Sequence, residues 1–202
     1  MRAGTGGLEV RLAPTETLTQ MALADETWTT ISPHAVWLSF LRGEWSRIEA
    51  NNPGVNRRLI AAPDLDSAVE NVARLRLLVS VRGPLLERIP SDTEWFQVAR
   101  LRAEHFLELR AIGRCGWDHP LHADLNELLR VAARKSLPVQ RGIQTLKPIL
   151  WGHSRAGPFT ILEGNHRLTA LASSIEQPQI ELVTYVGLSS SRCFWHLADQ
   201  VD

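Results

Sequence analysis

The sequence is poor in cysteine, poor in lysine, and has no excess charge of either sign. Cys115 and Cys193 are its only thiols and lie far apart, so no disulfide framework can be built and a reducing, cytoplasmic setting is expected. No apolar run approaches the length of a membrane span. The opening Met1-Arg-Ala-Gly-Thr-Gly-Gly7 has no apolar signal-peptide core, so no leader and no membrane partner are expected. Lys+Arg and Asp+Glu both total 22, which gives a formal net charge of zero. That balance argues against a strongly basic nucleic-acid binder, while leaving room for a local patch. No Gly-x-x-x-x-Gly-Lys-Ser/Thr pattern occurs, which excludes a P-loop as the route to nucleotide chemistry. Internal repeats and low-complexity tracts are also absent.

What is present fits an ordinary globular chain. At 202 residues and 44% apolar, it suits one domain, or a small domain with a sizeable extension. Of the 22 basic residues only Lys135 and Lys147 are lysine; the rest are arginine. Arginine suits bidentate recognition of phosphate or carboxylate, although a bias this broad also reflects overall composition. Seven tryptophans are many for this length and are expected mostly as core anchors.

Periodicity divides the chain near residue 90. Residues 1–90 read as a mainly helical N-terminal region packed on a core, and residues 91–202 as an α/β domain. Leu8 to Leu12 alternates like a short strand. Ser32-Pro33 reads as an N-cap followed by proline at the first helical position. Val36, Trp37, Phe40, Leu41, Trp45 and Ile48 then recur at helical spacing up to Asn51-Asn-Pro-Gly54. A second helix is predicted from Asp66 to Val79, broken by Arg82-Gly-Pro84. Beyond residue 90, strands are predicted at Trp95–Leu101, Lys147–Gly152, Phe159–Leu162 and Ile180–Val186. Helices are predicted at Ala103–Ile112, Ala123–Lys135, Asn165–Ser174 and Ser190–Gln200. Such alternation favours one mixed sheet with helices.

The most informative stretch is Pro158-Phe-Thr-Ile-Leu-Glu-Gly-Asn-His-Arg-Leu-Thr-Ala-Leu-Ala172. It reads as a strand, a glycine turn at Gly164, and a helix opening on Asn165, His166 and Arg167. A helix N-terminus offers free N–H groups and favours negative charge. An arginine and a histidine at that end point to an anion site, phosphate above all. Glu163, just before the turn, is placed to orient a hydroxyl, bind a metal, accept a proton, or cap the following helix.

Other candidates are sparser. Trp117-Asp-His-Pro120 gathers Asp118 and His119 in a loop, either as pocket groups or as an Asp turn ahead of proline. Cys193 and His196 stand three residues apart. They read as a partial metal site, a Cys–His pair lacking a third group, or a small core residue beside a pocket histidine. Asp92 and Glu94 read as a capping pair or as pocket acids. Arg57-Arg58 reads as a solvated pair, and Arg74 and Arg76 as helix residues whose stems snorkel.

The segments Lys147-Pro-Ile-Leu-Trp-Gly152, Phe159-Thr-Ile-Leu-Glu-Gly-Asn-His-Arg-Leu-Thr-Ala-Leu171 and Ile180-Glu-Leu-Val-Thr-Tyr-Val186 together resemble the core of the ParB/sulfiredoxin-like superfamily. The resemblance covers roughly residues 91–187. It implies an α+β fold, a small mixed sheet with helices, preceded here by a mainly helical N-terminal extension. It also implies a site for ATP or another nucleoside phosphate, with Mg²⁺, in which Gly164, Asn165, His166 and Arg167 hold phosphate. Glu163, His166 and Arg167 would be the catalytic set, with a small molecule as substrate and no resident metal ligand set; Asp118, His119 and His196, read from their own segments rather than from the resemblance, are added as further pocket candidates.

Members include CTP-binding partition proteins, ATP-using sulfiredoxins and free-serine kinases. The sulfiredoxin cysteine is replaced here by Asn165, which tells against sulfinic acid reduction. Only 15 residues follow position 187, too few for a helix-turn-helix. The expected activity is a kinase-like transferase. A nucleotide-sensing module and a ParB-like nucleic-acid enzyme are the alternatives.

Overall fold

The computed structural model describes residues 23–101, 105, 109–112, 122–124, 147–165, 168 and 182–193. Its centre is a mixed sheet of seven strands: β1 (Trp28–Thr30), β2 (Glu94–Leu101), β3 (Leu109–Ile112), β4 (His122–Asp124), β5 (Ile149–Gly152), β6 (Phe159–Glu163) and β7 (Leu182–Leu188). The strands lie in the order β1-β2-β7-β5-β6-β3-β4. The β5·β7 and β3·β6 pairs are parallel and the other four antiparallel. The fold is therefore α+β. Among the described residues no helix is long and apolar enough to cross a membrane.

Helices α1 (Pro33–Asn51) and α3 (Ala68–Leu86), with the short α2 (Arg58–Ala61) between them, accompany this sheet. Helix α1 starts where the sequence predicts. Ser32 is extended and its hydroxyl accepts the N–H of His34, with Pro33 opening the first turn. Val36, Phe40, Leu41 and Ile48 are fully buried at helical spacing. They join Leu78 and Leu85 of α3 and Trp95, Ile149, Trp151, Leu162 and Tyr185 of the sheet in one core. The opposite sheet face builds a second core from Leu23, Val98, Leu101, Leu109, Leu150, Phe159, Ile161, Leu168 and Val186. Residues 23–86 thus supply both the edge strand β1 and the helices covering one face.

Four sequence expectations are corrected. Helix α3 runs through Arg82-Gly-Pro84 to Leu86, with a kink rather than an end: Arg82 leaves helical geometry (φ −136°, ψ 17°), as proline four residues past Ser80 requires. The predicted Ala103–Ile112 helix is strand from Leu109 onward. Leu109 lies fully buried opposite Phe159 of β6, and pairing with that buried neighbour outweighs local helical spacing. The predicted Ala123–Lys135 helix begins as strand, since Ala123 and Asp124 pair with Ala111 and Arg110. Ser190 to Cys193 are not helical; they form the bend after β7. The Leu8–Leu12 strand, like residues 125–135, 169–174 and 194–200 of the other predicted helices, lies outside the described residues.

Arg74 is the most consequential surprise in the helical layer. It does not snorkel but is 2% exposed. One guanidinium nitrogen donates to the Leu59 carbonyl (3.3 Å) and the Glu70 carboxylate (3.0 Å). The other donates to the Asp64 carbonyl (2.6 Å) and Asn71 Oδ1 (2.6 Å). One side chain therefore satisfies the end of α2, the 62–67 loop and the first turns of α3 together. Arg74→Ala would leave the buried Leu59 carbonyl and the part-buried Asp64 carbonyl without their donor and open a cavity. It should cost about 2–4 kcal/mol in urea unfolding, whereas the exposed Arg76→Ala should change stability by less than about 0.5 kcal/mol.

Candidate functional site

The Glu163 turn is shaped by an extra residue in β6. Ile149 of β5 pairs with Glu163, but the next residue, Leu150, pairs with Ile161, so Leu162 is a β-bulge. Along an uninterrupted strand, Leu162 and Glu163 would point to opposite faces. With the bulge, Leu162 joins the core beneath α1 and α3, and Glu163 stays on that same side, opposite Ile149. Its carboxylate lies against Gly43 in the middle of α1: a Cβ on Gly43 would stand 2.8 Å from Glu163 Oε1. Glycine inside a helix costs roughly 0.5–1 kcal/mol relative to alanine. Here its missing side chain is the space the carboxylate fills.

Gly164 then turns the chain with φ +102°, a conformation that side chains other than glycine rarely adopt. Its carbonyl accepts the N–H of Leu168 at 2.9 Å, the first helical hydrogen bond, and Asn165 is already helical. The strand–turn–helix start read from the sequence is thus present at Glu163, Gly164 and Asn165. A helix start of this kind leaves its first N–H groups without acceptors inside the helix.

Lys147 is the residue that sequence reasoning missed. Chain direction in the antiparallel β5·β6 pair carries residues before Ile149 toward the Gly164–Asn165 side. The Lys147 ammonium donates to Gln97 Oε1 at 2.6 Å and sits 4.7 Å from the centre of the Tyr185 ring. The Lys147 carbonyl accepts from the Ser39 hydroxyl at 3.4 Å. Ser39 and Gly43 are one turn apart on α1, so a single helical turn abuts both Lys147 and Glu163. A signal did exist: Lys147 is one of two lysines in a chain that otherwise uses arginine.

His166, Arg167, Asp118, His119, His196 and Cys115 lie outside the described residues. Cys193 is 2% exposed, its thiol donating to the Arg88 carbonyl at 3.1 Å, which is the core role. Among the described residues no group of three or more His, Cys, Asp or Glu is placed to hold a metal ion. His153 belongs to the far end of β5, where Nδ1 meets the Ser189 carbonyl at 2.8 Å and the ring packs edge-on to Trp151. Arg57 is bonded to Glu49 at 2.7 Å rather than merely solvated.

Asp92 also belongs to that far end. It accepts from the hydroxyls of Ser189 (2.7 Å) and Ser191 (3.0 Å), fastening the start of β2 to the bend after β7. No family model matches this chain, and no curated protein or solved structure matches it either.

The Ser189 hydroxyl foremost, aided by Ser191, holds the Asp92 carboxyl below its ordinary value of 3.8. A carboxyl lowered on folding contributes stability above its unfolded pKa and loses it as pH falls through the folded pKa. Asp92→Asn should therefore melt at a lower temperature than the native chain at about pH 7, with the gap closing as pH falls below the ordinary carboxyl value of 3.8. A gap that stays constant across that range would count against the Ser189–Asp92–Ser191 contact.

Proposed function

We propose that this protein is a nucleotide-dependent phosphotransferase acting on a small molecule, of the kind its resemblance to the ParB/sulfiredoxin-like superfamily implies. The observation that carries the reading is the Glu163–Gly164–Asn165 turn. A bulge holds a carboxylate beside a left-handed glycine where a helix begins. A helix start favours phosphate oxygens.

In this reading Gly164, Asn165, His166 and Arg167 would hold the phosphates of ATP or a related nucleotide, and Mg²⁺ arriving with the nucleotide would supply further neutralisation of phosphate charge. His166 and Arg167 neutralise charge on the transferred group. Glu163 takes the proton of the acceptor hydroxyl, and α1 fixes the carboxylate through the Gly43 slot. Phosphoryl transfer draws most of its acceleration from such positioning and electrostatics. The cytoplasm supplies both nucleotide and acceptor.

Calorimetry with ATP, CTP and ADP in Mg²⁺, followed by turnover measurements, tests the reading. Glu163→Gln should keep nucleotide affinity within a few fold and lower turnover by roughly 10²–10⁴-fold. Arg167→Ala should weaken nucleotide binding by roughly tenfold or more. Turnover unchanged in both variants would sink the assignment. Tight binding without turnover over a panel of hydroxyl acceptors would mark a nucleotide-sensing module instead.

Gly43→Ala gives a second check. The atom it displaces is the far end of a side chain rather than backbone, and alanine favours helix by about 1 kcal/mol. The variant should melt no lower than the native chain and still lose turnover.

A further inference from the structure

Four residues stand side by side across the sheet. Gln97 of β2 pairs with Tyr185 of β7, Tyr185 with Ile149 of β5, and Ile149 with Glu163 of β6. Trp95, Tyr185 and Ile149 share the core beneath α1, and Gln97, two residues on from Trp95, points to that same face. Neighbouring strands lie about 4.8 Å apart, so Tyr185 and Glu163 are separated by roughly 10 Å along the row. Helix α1 lies over it: Ser39 meets Lys147, and Gly43, one turn on, meets Glu163. Ile149 is sealed beneath the helix, whereas Lys147, Gln97 and Glu163 are half-buried at the rim.

At one end of this row the hydrogen-bonding groups are incompletely used. The Lys147 ammonium donates one N–H to Gln97 Oε1 (2.6 Å) and lies 4.7 Å from the centre of the Tyr185 ring. It has further N–H groups to give, and no carboxylate partner among the described residues. With its oxygen taken, Gln97 keeps an amide nitrogen that has no partner among them either. Tyr185 is only 8% exposed, yet its hydroxyl reaches solvent and has no hydrogen-bond partner among the described residues. A tyrosine buried to that degree usually bonds its hydroxyl. It is the chain's only tyrosine, and Lys147 is one of two lysines.

Each of these unused groups can donate, one carries a full positive charge, and the ring makes one wall apolar. That set suits a single negative charge spread over two acceptor oxygens. A phosphate dianion would leave one charge uncompensated against the aromatic wall. We propose that Lys147, Tyr185 and Gln97 form a carboxylate subsite, which holds the acid group of a small hydroxy acid. The ammonium supplies the counter-charge, while the Tyr185 hydroxyl and the Gln97 amide donate to the carboxylate oxygens. An extended hydroxy acid anchored there runs along the rim under α1 and brings its hydroxyl toward Glu163. Its role as acceptor rests on the transferase reading; the carboxylate subsite stands without it.

NMR of the full chain, isotope-labelled at tyrosine and lysine alone, reads this subsite directly, since Tyr185 gives the only tyrosine signals. Titrating ω-hydroxyhexanoate without nucleotide should move the Tyr185 signals and those of one lysine, with a Kd of about 1 mM. Hexanediol, which lacks the acid, should leave them in place, and inorganic phosphate should bind at least about tenfold more weakly. Lys147→Met keeps the stem on the ring and should weaken binding by roughly tenfold or more. Gln97→Glu, which pairs the ammonium internally, should do the same, and Tyr185→Phe should cost roughly three- to tenfold. Circular dichroism and thermal melting confirm that each variant is folded. Tyr185 signals unmoved by the hydroxy acid overturn the proposal. So do equal shifts with hexanediol, tighter binding of phosphate, or native affinity in both Lys147→Met and Gln97→Glu. Carboxylate binding with these shifts but no transfer from ATP would uphold the subsite and remove the transferase reading.

Discussion

Everything in this fold follows from a central strand that must be hidden on both faces. Ile149, Leu150 and Trp151 of β5 have no solvent exposure at all. Their side chains alternate, so Ile149 and Trp151 enter one core and Leu150 the other. A sheet with such a strand at its middle cannot leave either face to water. Helices α1 and α3 provide the cover on one side, and that requirement explains why residues 33–51 and 68–86 are helical with buried apolar residues at helical spacing. It also brings α1 over the end of β6, which a sheet open on that face would leave unattended.

The same alternation makes the bulge at Leu162 decisive. A one-residue slip in a strand moves every later side chain to the other face. Without the extra residue, Glu163 would project into the face built from Leu109, Leu150 and Ile161, where an unpaired carboxylate is costly. With it, Glu163 reaches the rim beneath α1, half-buried and beside Gly43. A local defect in β6 and a helix-weakening residue in α1, 119 positions apart, thus serve one geometry.

How far the sequence shows this depends on whether the determinants are local. Ser32-Pro33, the glycine at 164 and the Val/Ile/Leu-rich strands carry their own conformational instructions, and those elements sit where their residues predict. Leu109 does not: its strand exists because Phe159 lies beside it, a partner 50 positions away. Arg74 likewise reads as a solvent-facing helix residue until Leu59, Asp64 and Asn71 close around it. In the candidate site, Glu163, Gly164 and Asn165 were visible as a run. Gly43, Ser39 and Lys147 were not, since each joins through a different element and none has a sequence neighbour that hints at it.

The kink in α3 reaches the site as well. Pro84 removes one helical N–H, and Arg82 leaves helical geometry two residues earlier. The Arg82 guanidinium is paired with the carboxylate of Glu44, which is 8% exposed. Glu44 adjoins Gly43. Removing one partner of a buried ion pair is costly, so the kink and the ion pair together hold α1 at the turn that touches Glu163. Straightening α3 would turn that face of α1 and carry the slot away from the carboxylate. The helical layer is therefore part of the site's construction as well as a cover for the core. A change near Pro84 should be felt at Glu163 before it is felt in the sheet.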